Sequence, residues 1–296
     1  MKFFKINKRL NSLLLNNLDL DTSVCNNFNN LRLNSLFFPL FLLLLIALFL
    51  FKEDAFSIVS YAHIQKDLFF YLNSYLSQTP NLQFNLTQLG DVIIFLPFLT
   101  LFLVYAPKLW ESILTALIVS SVFSNLLKKL FSVPRPAAMF DQDSFIITGR
   151  AIMGHNSFPS GHSIATFTIL TSILFAFMPK KIKFKVMWCS PICIIGLIIA
   201  FTRVAIGAHY PLDVIIGSII GYIAALTGIF INRRFNLLAW LTKKRYYFIS
   251  IILFSIWATA LINRIVTLNL VIFYFSLVSL VATIFLITHI YVKKAY

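Results

Sequence analysis

The sequence is poor in charge, and poorest in negative charge. Only 12% of its 296 residues are Asp, Glu, Lys or Arg, against about 25% in an ordinary soluble domain. Asp and Glu number 10, against 25 Lys and Arg. Apolar residues make up 59%, above the roughly 45–50% of a soluble chain, so the excess points to lipid rather than to a larger soluble core. A net charge of +15 would suggest nucleic acid in a soluble protein. Here the charge sits in short clusters between apolar runs, which is a membrane-topology pattern, and no nucleic-acid partner is expected. Cysteine is scarce. Cys25, Cys189 and Cys193 have no zinc-site spacing and imply no disulfide framework; they read as small buried hydrophobes. A cleavable signal peptide is not expected. The first 32 residues, rich in Asn, Leu and basic residues, are too long and polar for its leading region, and no small-residue cleavage site follows the first apolar run. Internal repeats and disordered linkers are also missing.

What the chain does have is apolar runs, at residues 33–51, 89–106, 109–127, 158–178, 186–206, 212–232, 246–264 and 268–291. Each is close to the ~20 residues that a membrane-spanning helix needs. The expected fold is an all-α integral membrane protein. A tail over residues 1–32, with an interfacial helix at 13–20, precedes a six-helix core over 33–232, and two additional helices follow in 233–296. Runs two and three should form a tight hairpin at Pro107-Lys108. With a cytoplasmic N-terminus, about two-thirds of the Lys and Arg fall on the cytoplasmic side, including the clusters at 180–185 and 243–245, as the positive-inside rule requires. Both termini are then cytoplasmic, in an inner membrane. Two outer loops result, a polar-aromatic segment at 52–88 that should lie on the membrane surface and a second loop at 128–157. Gly217 and Gly221 form a small-xxx-small pair suited to close helix packing.

Three polar clusters interrupt this pattern: KKLFSVPRP at 128–136, FPSGHS at 158–163 and TRVAIGAHYPLD at 202–213. They follow run three, precede run four and join runs five and six, so span parity alone puts them at one membrane face. Singly, each has a plain reading. Lys128, Arg135 and Arg203 could be interfacial anchors, His162 and His209 packing residues, and Asp213 a helix N-cap. Together they have the makings of a phosphate site. At ~4 Å and an effective dielectric of about 20, each cation–phosphate contact is worth roughly 4 kcal/mol before desolvation, and a guanidinium can grip two oxygens. Ser160 and Gly161 start run four, where free N–H groups and the helix dipole favour an anion. One histidine can attack phosphorus while the other protonates the leaving oxygen. Asp213, four residues after His209, can hold one ring nitrogen and leave the other basic.

These residues resemble the type 2 phosphatidic acid phosphatase superfamily, which comprises membrane lipid phosphatases and soluble vanadium haloperoxidases. Lys128 is followed after six residues by Arg135-Pro136, Pro159-Ser160-Gly161-His162 matches unchanged, and Arg203, His209 and Asp213 keep the family spacing, with Thr202 where Ser is usual. The resemblance covers about residues 89–232. It implies that His209 is the nucleophile and forms a phosphohistidine, that Asp213 orients it, and that His162 is the general acid. It further implies that Lys128, Arg135, Ser160, Gly161 and Arg203 bind the phosphoryl oxygens and that no metal or other cofactor is needed.

The substrate expected from the resemblance is a lipid phosphate held in the bilayer: undecaprenyl diphosphate, phosphatidylglycerol phosphate, phosphatidic acid or a lipid A phosphate. A phosphotransferase using the same site is the alternative within the class, and a non-catalytic lipid-binding or transport protein is the alternative outside it. The polar set lies at one face rather than along the helices, which disfavours a transport path. In the second outer loop, His155, Asn156, Asp141 and Asp143 either fix the loop or shape the substrate entrance. Asp91 and Glu111 read as interfacial charges, or less simply as members of an ion pair.

Overall fold

The computed structural model describes residues 20–292, and every regular element among them is helical. In chain order these are α1 (20–29), α2 (Phe37–Lys52), α3 (Ile58–His63), α4 (Lys66–Leu76), α5 (Pro80–Thr87), α6 (Val92–Phe95), α7 (Phe102–Tyr105), α8 (Pro107–Phe131), α9 (Pro136–Met139), α10 (Gly161–Ala176), α11 (Ile182–Ala205), α12 (Pro211–Phe235), α13 (Tyr247–Leu268) and α14 (Val271–Val292). Most of the expected helix at 13–20, and the basic residues before it, lie outside the described residues.

Six of these segments are long and apolar enough to cross a membrane. They contain α2, α8, α11, α12, α13 and α14. The apolar α10 has 16 residues, which at about 1.5 Å per residue fall a little short of a ~30 Å hydrocarbon layer. Run two is not the continuous helix expected from its composition. It is broken, with an 87° bend between Pro80–Gly90 and Val92–Leu99. Asp91 starts α6 by accepting from Ile93 N at 3.0 Å. Pro97 then removes an N–H and displaces the carbonyl four residues earlier, that of Ile93. In an apolar surrounding an unpaired carbonyl costs several kcal/mol, and here the Trp257 indole of α13 takes it at 2.9 Å.

Three elements form the centre. α12 lies against α10 through Gly217 and Gly221; a Cβ on Gly217 would stand 2.8 Å from the Ser160 carbonyl. Gly228 meets Ala116 of α8. The glycine pair therefore serves packing, as its spacing suggests. One apolar core joins α1, the broken segment, α8, α13 and α14 around Phe28, Ile94, Trp110, Phe254 and Leu280. A second surrounds Tyr61, Phe69, Phe158, Val204 and Tyr210.

Three expectations need correction. Segment 52–88 does not simply lie on the surface, because α3–α5 bury Tyr61, Gln65, Asn73 and Thr87 against the bundle. Glu111 is buried at 5% exposure; it pairs with Lys108 at 3.6 Å and accepts from Thr242 at 3.0 Å. The tail's last part is docked: Val24 and Phe28 are buried, and Asp21 accepts from Lys108 N at 2.8 Å. That bond caps α8, whose own N-cap residue Ala106 has no side-chain oxygen to offer.

Candidate active site

Backbone hydrogen bonds tie the three polar clusters together. Ser157 N donates to Val133 O at 2.9 Å and Arg135 N to Gly154 O at 2.9 Å, joining the first cluster to the stretch that leads directly into the second. Ser160 N donates to Asp213 O at 3.1 Å, joining the second to the third. The turn carrying His209 depends on Gly207, whose φ of +76° and contact with Phe145 leave no room for a side chain.

His209 stands in the short connection between α11 and α12 and is 2% exposed. Its Nδ1 lies 3.4 Å from Asp213 Oδ2 and 3.4 Å from Ser157 Oγ. Its Nε2 lies 3.3 Å from Arg135 Nη1. A guanidinium can only donate, so Nε2 is the acceptor and keeps its lone pair, while Nδ1 carries the proton towards Asp213. Burial, reinforced by Arg135, Arg203 and Lys128, pushes the His209 imidazole well below its ordinary value, which keeps the ring neutral.

Asp213 is fully buried in the first turn of α12. It accepts from the Tyr61 hydroxyl at 2.8 Å, the Ser157 hydroxyl at 2.6 Å and Tyr210 N at 3.1 Å. Burial and the neighbouring Asp213 raise the Tyr61 phenol well above its ordinary value, so it remains a donor. Gln65 supports this corner, accepting from Leu212 N at 2.8 Å.

Three cations surround the histidines. Arg135, 6% exposed, donates to Asn156 Oδ1 at 2.7 Å and Ala208 O at 3.1 Å. Arg203, 5% exposed, donates to Thr87 Oγ1 at 3.1 Å, and its Nε finds no partner. Lys128, in the last turn of α8, has its Nζ 3.2 Å from where a Cβ on Gly161 would stand. His162, in the first turn of α10, lies in the electrostatic field of Arg203, Lys128 and Arg135, and His209 feels the charge of His162 in turn. The His162 ring makes no hydrogen bond among the described residues. Ser160 caps α10, accepting from Ser163 N at 3.4 Å and the Ser163 hydroxyl at 2.9 Å, so its own hydroxyl proton remains to be donated.

All eight residues singled out from the sequence therefore gather at one end of the bundle. Asn156 fixes Arg135, whereas His155, Asp141 and Asp143 make no hydrogen bond or ion pair with the eight among the described residues. Sequence reasoning missed Tyr61, Ser157 and Thr87. Ser157 borders the second cluster and is a polar residue before an apolar helix, a signal that was available; Tyr61 and Thr87 carry none. Among the described residues no group of three or more His, Cys, Asp or Glu side chains gathers in metal-ligand fashion.

Residues 109–237 match the PAP2 superfamily. A lipid A 1-phosphatase of Rhizobium etli is 33% identical over 129 residues, 42% of this chain and 51% of the relative. A lipid A 1-phosphatase of Rhizobium johnstonii is 34% identical over 118 residues, 38% of this chain and 44% of the relative. The chain thus spans about half the length of the curated relatives it matches. Among solved structures, the crystal structure of Aquifex aeolicus LpxE aligns with a TM-score of 0.48 and 23% identity, covering 56% of this chain and 94% of that one.

Proposed function

With residues 109–237 matching the PAP2 superfamily, we propose that this chain is a membrane lipid phosphatase working through a phosphohistidine at His209. The observation that carries the reading is an imidazole held at Nδ1 by a buried carboxylate, with its Nε2 lone pair facing Arg135 inside a ring of three cations.

In the first half-reaction Nε2 of His209 attacks phosphorus, and the bond from phosphorus to the lipid oxygen breaks. His162 delivers a proton to that oxygen, so the lipid leaves as an alcohol or as the phosphate left after cleavage of a diphosphate. In the second half-reaction water gives a proton to His162 and attacks phosphorus. The phosphorus–nitrogen bond breaks, and inorganic phosphate and free His209 result. Asp213 stabilises the positive charge that the ring gains in between. Lys128, Arg135 and Arg203 neutralise the equatorial oxygens, Ser160 donates to one of them, and Gly161 lets the α10 N–H groups approach. Such preorganised charge is often the largest contribution to catalysis, and the mechanism asks nothing of a metal.

The lipid A 1-phosphatase relatives favour an envelope lipid, with lipid A 1-phosphate first among the candidates and undecaprenyl diphosphate, phosphatidylglycerol phosphate and phosphatidic acid next. A neighbouring apolar cavity also suits a lipid. Its volume is about 220 Å³ and its walls include Leu43, Leu50, Tyr61, Phe131 and Phe158; a dry cavity of about 150 Å³ suffices for a benzene-sized guest. On this reading the site faces the non-cytoplasmic side of an inner membrane, the orientation that the distribution of basic residues favours.

Purified protein, given these four lipids with and without EDTA, is expected to release inorganic phosphate from at least one of them, with the rate largely unchanged by the chelator. A strict divalent-metal requirement would contradict the mechanism. Turnover only in the presence of a second acceptor lipid would make the protein a phosphotransferase.

A further inference from the structure

The last two helices lie outside the matched residues 109–237, yet they are bonded to the segment that touches the site. The Arg264 guanidinium of α13 meets Asp91 at 3.2 Å. Asp91 is joined directly to Gly90, which is pressed on the catalytic side. A Cβ on Gly90 would stand 2.7 Å from His162 Cβ and 2.8 Å from Cδ2 of its ring. Three residues before Gly90, Thr87 holds Arg203.

Further bonds continue along the broken segment. Trp257 of α13 takes Ile93 O, while Ser276 and Ser279 of α14 donate to Ile94 O at 3.0 Å and Pro97 O at 3.1 Å. Thr283 meets Thr100 at 2.8 Å. The indole and the two serine hydroxyls thus bond backbone carbonyls of the broken segment, and Thr283 bonds the side chain of Thr100. A helix broken next to a site is free to shift unless something outside fixes it, and here α13 and α14 do so. The charges also act directly, Arg264 on His162 and Asp91 on Arg203.

We propose that Asp91 and Arg264 are a positioning pair through which α13 and α14 hold His162 and Arg203 in reacting geometry. The inference rests on the roles proposed above for those two residues. Neither member of the pair touches substrate. Because the pair sets the geometry of groups that act in the transition state, its loss lowers kcat more than it raises KM.

The test uses the full-length protein in detergent. Arg264→Ala and Asp91→Asn, the latter keeping a side chain able to cap α6, are each expected to lower kcat about tenfold with KM changed less than about twofold. The double variant should be no worse than either single variant, as coupled residues require. Arg264→Lys should recover most of the rate, and Ser255→Ala, on the exposed side of α13, should leave it unchanged. Normal kcat in both single variants, losses that multiply in the double variant, or no recovery with Lys would overturn the proposal. If Arg264→Ala fails to fold, Asp91→Asn decides alone. Absence of turnover in the wild type would instead overturn the proposed function. The pair is then judged by affinity for orthovanadate, expected to be about tenfold weaker in each single variant because that ion mimics the transition state; unchanged affinity would overturn it.

Discussion

His209→Ala is expected to remove essentially all turnover, lowering kcat roughly 10⁴-fold or more, because the variant has no atom to receive the phosphoryl group. The effect should be chemical rather than structural. Asp213 keeps its bonds to Tyr61, Ser157 and Tyr210 N when the imidazole is gone, so the buried carboxylate is not stranded. Circular dichroism and the thermal midpoint in detergent should therefore match the wild type. The neutral state of His209 adds a pH signature. Burial lowers its pKa from the ordinary ~6.5, and the attacking form is the neutral one, present above the pKa. Activity due to this group is thus retained as pH falls through 6.5 and is lost only below it. An acid limb of kcat/KM for His209 lying above 6.5 would contradict the arrangement, as would a His209→Ala protein with near-normal rates.

His162→Ala should produce the second-largest loss, and one that depends on the leaving group. A general acid contributes about 10²–10⁴-fold when the departing oxygen is a poor leaving group. A lipid alcohol is poor, so kcat on a monoester lipid should fall by that amount. p-Nitrophenolate leaves without a proton, so the first step with p-nitrophenyl phosphate should be nearly unaffected and a phosphoenzyme should accumulate. Equal losses in the phosphorylation step on both substrates, read as the single-turnover rate of phosphoenzyme formation, would mean that His162 binds or positions the phosphate rather than protonating the leaving oxygen.

The fold was legible where a run was long and apolar. Such runs marked the helices containing α2, α8, α11, α12, α13 and α14, because lipid demands about 20 apolar residues whatever their order. The broken second run was not legible as broken. Its composition is that of a spanning helix, and Pro97 breaks it tolerably only because Trp257, some 160 residues later in the chain, takes the released carbonyl. The gathering of the eight residues was legible because spacing within each cluster is local and span parity predicts one face for all three clusters. Its supports were not. Tyr61 and Thr87 sit in an ordinary-looking polar-aromatic segment, and their meeting with Asp213 and Arg203 arises from packing of α3–α5 against α11 and α12. Asp91 and Glu111 looked interfacial because each sits near the end of a run, whereas their partners Arg264 and Lys108 bring both into ion pairs.

The central claim is that His209 and His162 address one phosphorus atom inside the ring formed by Lys128, Arg135 and Arg203. An experimental structure of the full-length protein with orthovanadate tests it most directly. The account predicts vanadium bonded to Nε2 of His209, its equatorial oxygens facing the three cations, and its far apical oxygen within hydrogen-bond reach of His162. Vanadium bound away from His209, or an apical oxygen that His162 cannot reach, would contradict it.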